Sequence, residues 1–536
     1  MRDSIFLGLC IAGGLALATY ISPREYPPSR VSLENWQDWE DVREIAARID
    51  EEFSQAWAEA GLQSAELADD LTVARRMSLG MTGTIPSLEE IRALESLSPE
   101  ARIPWWTEHL LADRRSSDYR AERWGRALVG VEGGPFLIYR RRRFISWLSD
   151  QLHANVPYDE LARTLITAEG VWTDSPAVNF LTVTANPEDG NRPDAIRLAA
   201  RTSRAFLGVR LDCVQCHDDN LGGPWKQSDF HELAAFYAGV RNSAFGVRNE
   251  HRDYEYKYLG QDESITIAPQ TPFADDLLND TPASQRMQLA SWVTHSANRA
   301  FARAAVNRVW AMATGKPLVE PIDSIPLSGP YPPGLETLAD DFVMHGYDLK
   351  RLWRIIAMTK VYRRESRANF EVTREHEQAW AVFPVTRLRA EQVAGGLWQS
   401  ARLKTVDAHS HIVISLAHAA ETSEFIRSYG DAGEDEFSPS AGTIPQRLVL
   451  MNGKLVRDRT KQDLVGNAAT RIAMLLRDDQ RAVEAAYLIV LTRRPTTAEL
   501  DHFHPQLASA TAVERPERIE DIVWTLLNST EFSWNH

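Results

Sequence analysis

The sequence predicts a mainly α-helical protein, built from two helical domains with a small β-hairpin element between them. Apolar residues recur at helical spacing along most of the 536 residues, as in Phe301, Ala305, Val309 and Met312. Residues that typically begin and end helices stand at the edges of these periodic stretches. Only residues 252–267 show the alternation that is typical of strands. These observations favour an all-α architecture with a minor β element.

Capping residues mark several helix boundaries. Ser87 and Glu90 have the spacing of a capping box, and Thr496 and Glu499 repeat it near the end of the chain. Other single residues predict helix starts at Ser98, which precedes a proline, and at Asp348, and a helix end at Gly315.

One short region should form a β-hairpin. Tyr254, Tyr256 and Tyr258 alternate with charged residues, and the β-prone segment Ile265–Ile267 follows after a glycine. Residues 268–282 are rich in proline, aspartate and threonine, so we expect them to form an exposed linker between the two halves.

The chain is too long for one hydrophobic core, so several domains are expected. The predicted segments are a signal peptide or N-terminal membrane anchor (1–21), a linker and exposed helix (22–64), a first helical domain (65–245), a β-hairpin and linker (246–282) and a second helical domain (283–536).

The charge of the chain argues against a nucleic-acid partner. The formal net charge is −15, which repels phosphate backbones. The strongest basic run, Arg140–Arg143, is followed at once by apolar residues, so it is interpreted as the charged start of an amphipathic helix.

The N-terminus indicates export. Residues 5–21 carry no charge, and Ala16–Ala18 has the pattern of a signal-peptide cleavage site. As a helix, this stretch would reach about 25 Å, slightly short of a membrane core. A cleaved signal peptide and an uncleaved anchor both remain open, and either sends the chain to the periplasm or the cell surface.

Residues 213–217 form a CxxCH motif, the pattern that attaches a c-type haem. Cys213 and Cys216 would form thioethers with the two vinyl groups, and His217 would bind the iron. Two alternatives remain open. The residues Cys213, Cys216 and His217 could ligate zinc together with an acid such as Asp218, or the two cysteines could form a disulfide.

No sixth haem ligand is assigned. His231 is predicted to be a polar residue at a helix start, facing water. Trp225 and Phe236 could line a haem pocket, although ordinary packing is the simpler interpretation. The four methionines that follow the motif at helical apolar positions are interpreted as core residues: Met287, Met312, Met344 and Met358.

A hydrolase would need paired carboxylates. An acidic run could supply them, but its flanking glycines and proline are typical of a solvated or calcium-binding loop: Asp431, Glu434, Asp435 and Glu436. The sequence contains no G-x-S-x-G, P-loop or H-E-x-x-H motif.

Several longer motifs resemble a known pair of domains. Residues 74–87, 207–218 and 225–236 resemble a planctomycete-type, cytochrome-C-like domain of unknown function. The second half resembles its usual companion, also of unknown function, in residues 301–310, 345–352, 387–392 and 527–536. Members usually have a second histidine where this chain has Asp219, and many have cysteines in the region 433–440, where this chain has none.

We therefore expect an exported, c-type haem-binding redox or electron-transfer component with an unidentified redox partner. One alternative is a non-catalytic surface or periplasmic module in which the CxxCH motif holds a metal or forms a disulfide. The other is a polysaccharide-associated hydrolytic enzyme, because members of the resembled family often occur beside sulfatase-like proteins; this second alternative is an analogy.

Overall fold

Helices dominate the computed structural model, as the sequence predicts. The described residues are 36–536 apart from short gaps, so the predicted signal peptide or anchor lies outside them. The gaps are 132, 136–137, 187–189, 220–222, 244, 260, 279–283, 407–411, 431–432, 434–436, 438–441, 462 and 464–466.

The first half of the chain holds ten α-helices within the described residues. They are α1 (Trp36–Ala60), α2 (Asp70–Thr82), α3 (Leu88–Glu95), α4 (Pro99–Ala112), α5 (Arg114–Val129), α6 (Arg141–His153), α7 (Tyr158–Thr167), α8 (Asn179–Thr182), α9 (Ala195–Thr202) and α10 (Gln227–Ala235).

The second half continues in the same style. Its helices are α11 (Gln285–Val293), α12 (Arg299–Thr314), α13 (Leu335–Met344), α14 (Leu349–Met358), α15 (Arg374–Gln378), α16 (Ala390–Ser400), α17 (Ile412–Tyr429), α18 (Ile444–Asn452), α19 (Lys454–Thr460), α20 (Ala468–Leu475), α21 (Asp479–Leu491), α22 (Thr497–Ala508) and α23 (Arg515–Leu527).

The strands form small antiparallel pairs. The predicted hairpin is confirmed, because β3 (Tyr254–Tyr256) pairs with β4 (Ile265–Ile267). A hairpin that the sequence did not predict precedes it, between β1 (Val240–Ser243) and β2 (Gly246–Asn249). A third pair joins β5 (Thr386–Arg387) to β6 (Trp534–Asn535).

The predicted helix boundaries are confirmed, although the Ser98 side chain makes no cap hydrogen bond. Ser87 and Glu90 form a reciprocal capping box at α3, and Thr496 and Glu499 form another at α22. The Asp348 side chain accepts from the backbone N–H of Arg351 at 2.9 Å. Gly315 ends α12 in the left-handed conformation, α4 begins with a proline after Ser98, and α6 begins at Arg141 within the arginine run.

The two halves of the helical part pack together, and Gln37–His536 is one compact unit. Helix α2 lies at its centre, against α4, α5 and α12. A Cβ added at Gly80 of α2 would lie 3.0 Å from the carbonyl oxygen of Met312 in α12, so the small residue allows the two helices to cross closely.

Helix α1 was expected to be exposed, but the structure shows that it is partly buried. Trp39, Val42, Ile49 and Phe53 are all nearly inaccessible to solvent, so one face of α1 is buried. The Glu52 carboxylate accepts from the backbone N–H of Gly334 at 2.8 Å, at the start of α13. The acidic residues that suggested exposure occupy only the other face.

The segment between the halves is fixed to α11. The indole N–H of Trp292 donates to the carbonyl oxygens of Phe273 and Ala274, at 3.2 and 3.1 Å.

Across the described parts of the chain, no helix combines the length and apolar character that crossing a membrane requires.

Candidate functional site

The CxxCH turn, residues 212–219, lies on the surface between α9 and α10. A short turn of π-helix (Ser203–Leu207) ends at Gly208, whose φ of 64° reverses the chain, and a 3₁₀ turn (Asp212–Gln215) follows. Val214 is buried and anchors the turn, whereas Cys213, Cys216 and His217 are exposed. Both thiols are unpaired. The structure therefore brings the three predicted haem-attachment residues together on one accessible turn.

The ring of His217 has a defined tautomer when neutral. Its Nδ1 lies 2.7 Å from the carbonyl oxygen of Asp218. Because a carbonyl oxygen can only accept a hydrogen bond, Nδ1 carries the proton and Nε2 has the lone pair. The exposed ring therefore offers Nε2 as a ligand atom.

His231 contradicts the expectation of a helix-start residue that faces water. It is fully buried, with its ring stacked on Tyr256 at a centroid distance of 3.6 Å. Its Nε2 donates to the carbonyl oxygen of Gln215 at 3.0 Å, and its Nδ1 accepts from the hydroxyl of Tyr254 at 2.9 Å. The expectation was wrong because the β3–β4 hairpin covers this side of α10.

Both nitrogens of His231 are thus committed to protein partners. Burial lowers the pKa of this imidazole, which favours the neutral form that the two hydrogen bonds require. In this arrangement His231 serves to hold the CxxCH turn and has no nitrogen left for a metal.

Further contacts fix the backbone of the turn. The side-chain amide of Gln227 donates to the same Gln215 carbonyl at 3.0 Å. The Asp218 carboxylate accepts from the backbone N–H of Gln227 at 2.8 Å, so the acid proposed for the zinc alternative caps the start of α10. The backbone N–H of Asp219 donates to the carbonyl oxygen of Trp225 at 3.0 Å. The turn is held firmly while its thiols and imidazole face solvent.

A different set of residues has the closest metal-like geometry. Within the described part of the chain, only Glu90, His109 and Asp113 form a group of three or more potential ligands whose atoms all lie within 4.8 Å of one another. Cys213, Cys216, His217 and Asp218 are not gathered in that way, so zinc binding at the turn stays a prediction.

Arg115 pairs with both carboxylates of that group. We call Glu90, His109, Asp113 and Arg115 together the Glu90 cluster. The guanidinium of Arg115 lies 2.7 Å from a carboxylate oxygen of Glu90 and 2.7 Å from one of Asp113. Burial alone would raise the pKa of Glu90, but Arg115 and His109 hold it well below its usual range. The positive charge that a cation would bring is already present.

The other predicted residues lie in varied surroundings. Met312 and Phe236 are buried in the core, as predicted, and Trp225 is partly buried near Phe273. The interpretation of Met287 and Met344 as core residues was wrong. Their side chains are 55% and 70% exposed on the outer faces of α11 and α13. Met358 is partly buried. The acidic run at 431–436 lies outside the described residues apart from Gly433.

Sequence reasoning missed the support that Tyr254 and Tyr256 give to His231. The alternating tyrosines were visible as a strand pattern, but the partner of their inner face was not. A pair of tyrosines on one strand face, close in sequence to a histidine at a helix start, is the signal that could have indicated this contact.

These features define a mainly helical protein with an accessible CxxCH turn on a rigid support. Residues 48–242 match the family PSCyt2, described as a protein of unknown function (DUF1549). Residues 285–413 match PSD1, also described as a protein of unknown function (DUF1553). The chain therefore contains a PSCyt2 segment followed by a PSD1 segment. No curated protein and no solved structure matches it.

Proposed function

We propose that the CxxCH turn carries a covalently attached c-type haem, and that the protein is a redox or electron-transfer component outside the cytoplasm. The observation that carries the proposal is the ring of His217, whose Nδ1–H donates to a backbone carbonyl and leaves Nε2 available. An imidazole that binds a metal through Nε2 commonly donates its other ring N–H to an oxygen acceptor, which fixes its orientation and raises its basicity.

The donor set fits such a group. Cys213 and Cys216 are exposed free thiols, so both can react with vinyl groups before any pocket closes around them. When bound, a haem would supply one-electron transfer at its iron. His217 would be the proximal ligand.

The support beneath the turn keeps these groups in position. His231 and Gln227 donate to the Gln215 carbonyl, which lies between the two cysteines in the sequence. Fixing this peptide limits the relative movement of the two thiols, and the Asp218 cap on α10 limits that of His217. Neither support residue would touch a haem iron, because both act through the backbone.

Location and partner form part of the same proposal. Thioether formation at CxxCH takes place outside the cytoplasm, which agrees with the export that residues 1–21 predict. The partner would be a redox protein that approaches the exposed turn, and the net charge of −15 would favour a partner with a basic contact surface.

The test is to express the full chain together with c-type haem maturation machinery and to measure intact mass and visible absorption. Covalent haem predicts a haem mass adduct that persists in denaturant. Cys213→Ala and Cys216→Ala should each leave at most one thioether, and Cys10→Ala is the matched control that should leave haem content unchanged. His217→Ala should lose the proximal iron bond and shift the spectrum.

The alternatives give different patterns. Zinc predicts a colourless protein that loses its metal at low pH and upon each of the three substitutions. A disulfide predicts that both cysteines matter equally and that His217→Ala is nearly silent. A colourless, exported protein without a haem adduct, despite competent maturation, would overturn the proposal.

A further inference from the structure

The β3–β4 hairpin and the start of α10 lie beside the CxxCH turn. Helix α10 contacts both the turn and the hairpin. The hydroxyl of Tyr256 in β3 lies 3.5 Å from the carbonyl oxygen of Gln215, in the middle of the turn. We call the described parts of residues 212–232 and 252–267 together the turn–hairpin surface.

Apolar side chains are exposed on this surface. Leu259, near the end of the hairpin, is 95% exposed, and Ile265 is 51% exposed. Ile265 lies opposite Tyr256 in the strand register, so the two side chains share one face of the hairpin. Because Tyr256 stacks on His231 of α10, this face is directed toward α10 and the turn. Exposed apolar side chains that lie together are typical of contact surfaces.

The same surface carries an excess of unpaired acidic groups. Asp212 pairs with Arg204, and Asp219 also has a partner, so neither is counted. The other carboxylates of the surface form no ion pair within the described residues: Asp218, Asp229, Glu232, Asp253, Glu255, Asp262 and Glu263. The basic residues of the surface are exposed and form none either: Lys226, Arg252 and Lys257. Acidic groups therefore outnumber basic ones by more than two to one.

Three of these carboxylates lie close to the aromatic side chains next to the turn. Burial raises the pKa of Tyr258, and the carboxylates of Glu232 and Asp218 raise it further. Burial and the neighbouring carboxylate of Asp229 likewise raise the pKa of Glu232. The negative charges thus act at the place where apolar side chains are exposed. A basic group placed among them would relieve their mutual repulsion.

This composition fits a protein partner. An apolar centre with a charged rim is usual for surfaces that bind other proteins. The acidic rim favours a partner with a basic surface, because complementary charges steer the two proteins together, and it disfavours nucleic acids and anionic lipids. Electron-transfer encounters bury less than about 1,200 Å², an area that a turn and a hairpin can supply.

We propose that the turn–hairpin surface is the docking surface for a redox protein whose own contact surface is basic. The inference rests on the proposed function, because a redox partner needs a redox centre at the CxxCH turn. It adds where the partner binds and which chemistry its surface carries.

The test is calorimetric titration of the full-length chain with oxidised mitochondrial cytochrome c, a small redox protein with a basic surface, at about 10 and about 200 mM ionic strength. Flavodoxin, an acidic redox protein, is the control. We expect cytochrome c to bind at low ionic strength and at least about tenfold more weakly at high ionic strength, because salt screens the charges. Flavodoxin should not bind. Calorimetry follows binding whether or not the chain carries haem.

Charge reversal separates this surface from the acidic molecule as a whole. Glu232→Lys should weaken cytochrome c binding by about tenfold, because it replaces an attraction by a repulsion. Glu517→Lys makes the same change in net charge at an exposed position of α23, in the second half, and should leave the dissociation constant nearly unchanged. Glu263→Lys, at an exposed position of the hairpin loop, is the second variant if Glu232→Lys does not fold.

A second pair of variants tests the apolar part of the surface. Ile265→Thr keeps a β-branched residue in β4 and should weaken binding at both ionic strengths, because it removes apolar area and no charge. Ile444→Thr, at a 78% exposed position of α18, is the control and should have no effect on binding.

Two results would overturn the inference and leave the proposed function intact. One is a haem-loaded chain that binds cytochrome c no more tightly than flavodoxin. The other is equal weakening by Glu232→Lys and Glu517→Lys, which would show attraction to the net charge of −15 and not to this surface. A chain without a haem adduct would overturn the proposed function, and the redox partner with it, whatever the titration shows.

Discussion

The CxxCH turn and the Glu90 cluster contain similar side chains in opposite settings. In the Glu90 cluster, histidine and two carboxylates converge, and Arg115 already pairs with both carboxylates. In the CxxCH turn, backbone atoms make the supporting hydrogen bonds, while two thiols and one imidazole nitrogen stay accessible. Convergence of ligand-type residues thus marks a structural cluster here, and the candidate site is the one whose reactive atoms are left without protein partners.

The largest expected effect is a loss of stability upon substitution in the Glu90 cluster. Arg115→Met would leave Glu90, which is 5% exposed, without its main countercharge. Removing one partner of a buried ion pair costs about 3–5 kcal/mol, and we expect a loss of that size in the free energy of unfolding measured by urea denaturation.

The neighbouring residue is the control for that measurement. Arg114 pairs with Asp118 and Asp150 at the surface, so Arg114→Met should cost at most about 1 kcal/mol. If Arg115→Met were as stable as the unchanged protein, Arg115 would not be the main countercharge of Glu90. If zinc stabilised the unchanged protein at this cluster, it would have to be considered an open metal site.

A second prediction compares the two histidines of the turn. His231→Ala removes a buried ring with two hydrogen bonds and a stacked tyrosine, and it should cost about 2–4 kcal/mol. His217→Ala, at an exposed position, should change stability by no more than about 0.5 kcal/mol. Chemical denaturation of both haem-free variants measures the difference. Equal losses would mean that His217 also supports the fold.

A smaller effect is expected at the hairpin. Tyr254→Phe removes the hydroxyl that donates to Nδ1 of His231, and leaving that nitrogen unsatisfied should cost about 1 kcal/mol. Tyr258 contacts the same ring through its edge, so Tyr258→Phe keeps the contact and should be nearly neutral. If Tyr254→Phe were as stable as the unchanged protein in thermal unfolding, aromatic packing and not this hydrogen bond would hold His231.

The smallest effect is a pH dependence. Burial lowers the pKa of His231 from its ordinary value of 6.5, so the unfolded chain binds a proton more readily than the folded one. The contribution to stability is present above pH 6.5 and is lost as the pH falls through the lowered pKa. The unfolding free energy of the unchanged protein should therefore fall more between about pH 7 and about pH 5 than that of His231→Gln. If the unfolding free energies of the two proteins changed in parallel with pH, this prediction would be wrong.

The sequence predicted the local features of the fold well. The capping boxes at Ser87 and Thr496 need only residues three positions apart, so they were visible without knowledge of tertiary structure. The hairpin of Tyr254 and Ile265 was visible for the same reason. The CxxCH motif, a five-residue pattern, was also visible in the sequence, although its chemistry stays a proposal.

Features that depend on distant partners could not be predicted. His231 looked like a solvent-facing residue because its partners Gln215 and Tyr254 lie 16 and 23 positions away on other elements. The apolar residues Trp39, Val42 and Phe53 indicated that one face of α1 is buried. The many acidic residues on the other face nevertheless led to the prediction of an exposed helix.

The buried guanidinium of Arg76 in α2 has a consequence for how the chain matures. Its Nε donates to the carbonyl oxygen of His536 at 2.7 Å, and its Nη1 donates to that of Arg364 at the same distance. Burial lowers its pKa to about 10, because the charged guanidinium loses its hydration inside the protein. The central helix thus lacks one of its acceptors until residue 536 has been made. This part of the core therefore closes only after the segment around residue 536 has been synthesised and has packed against α2.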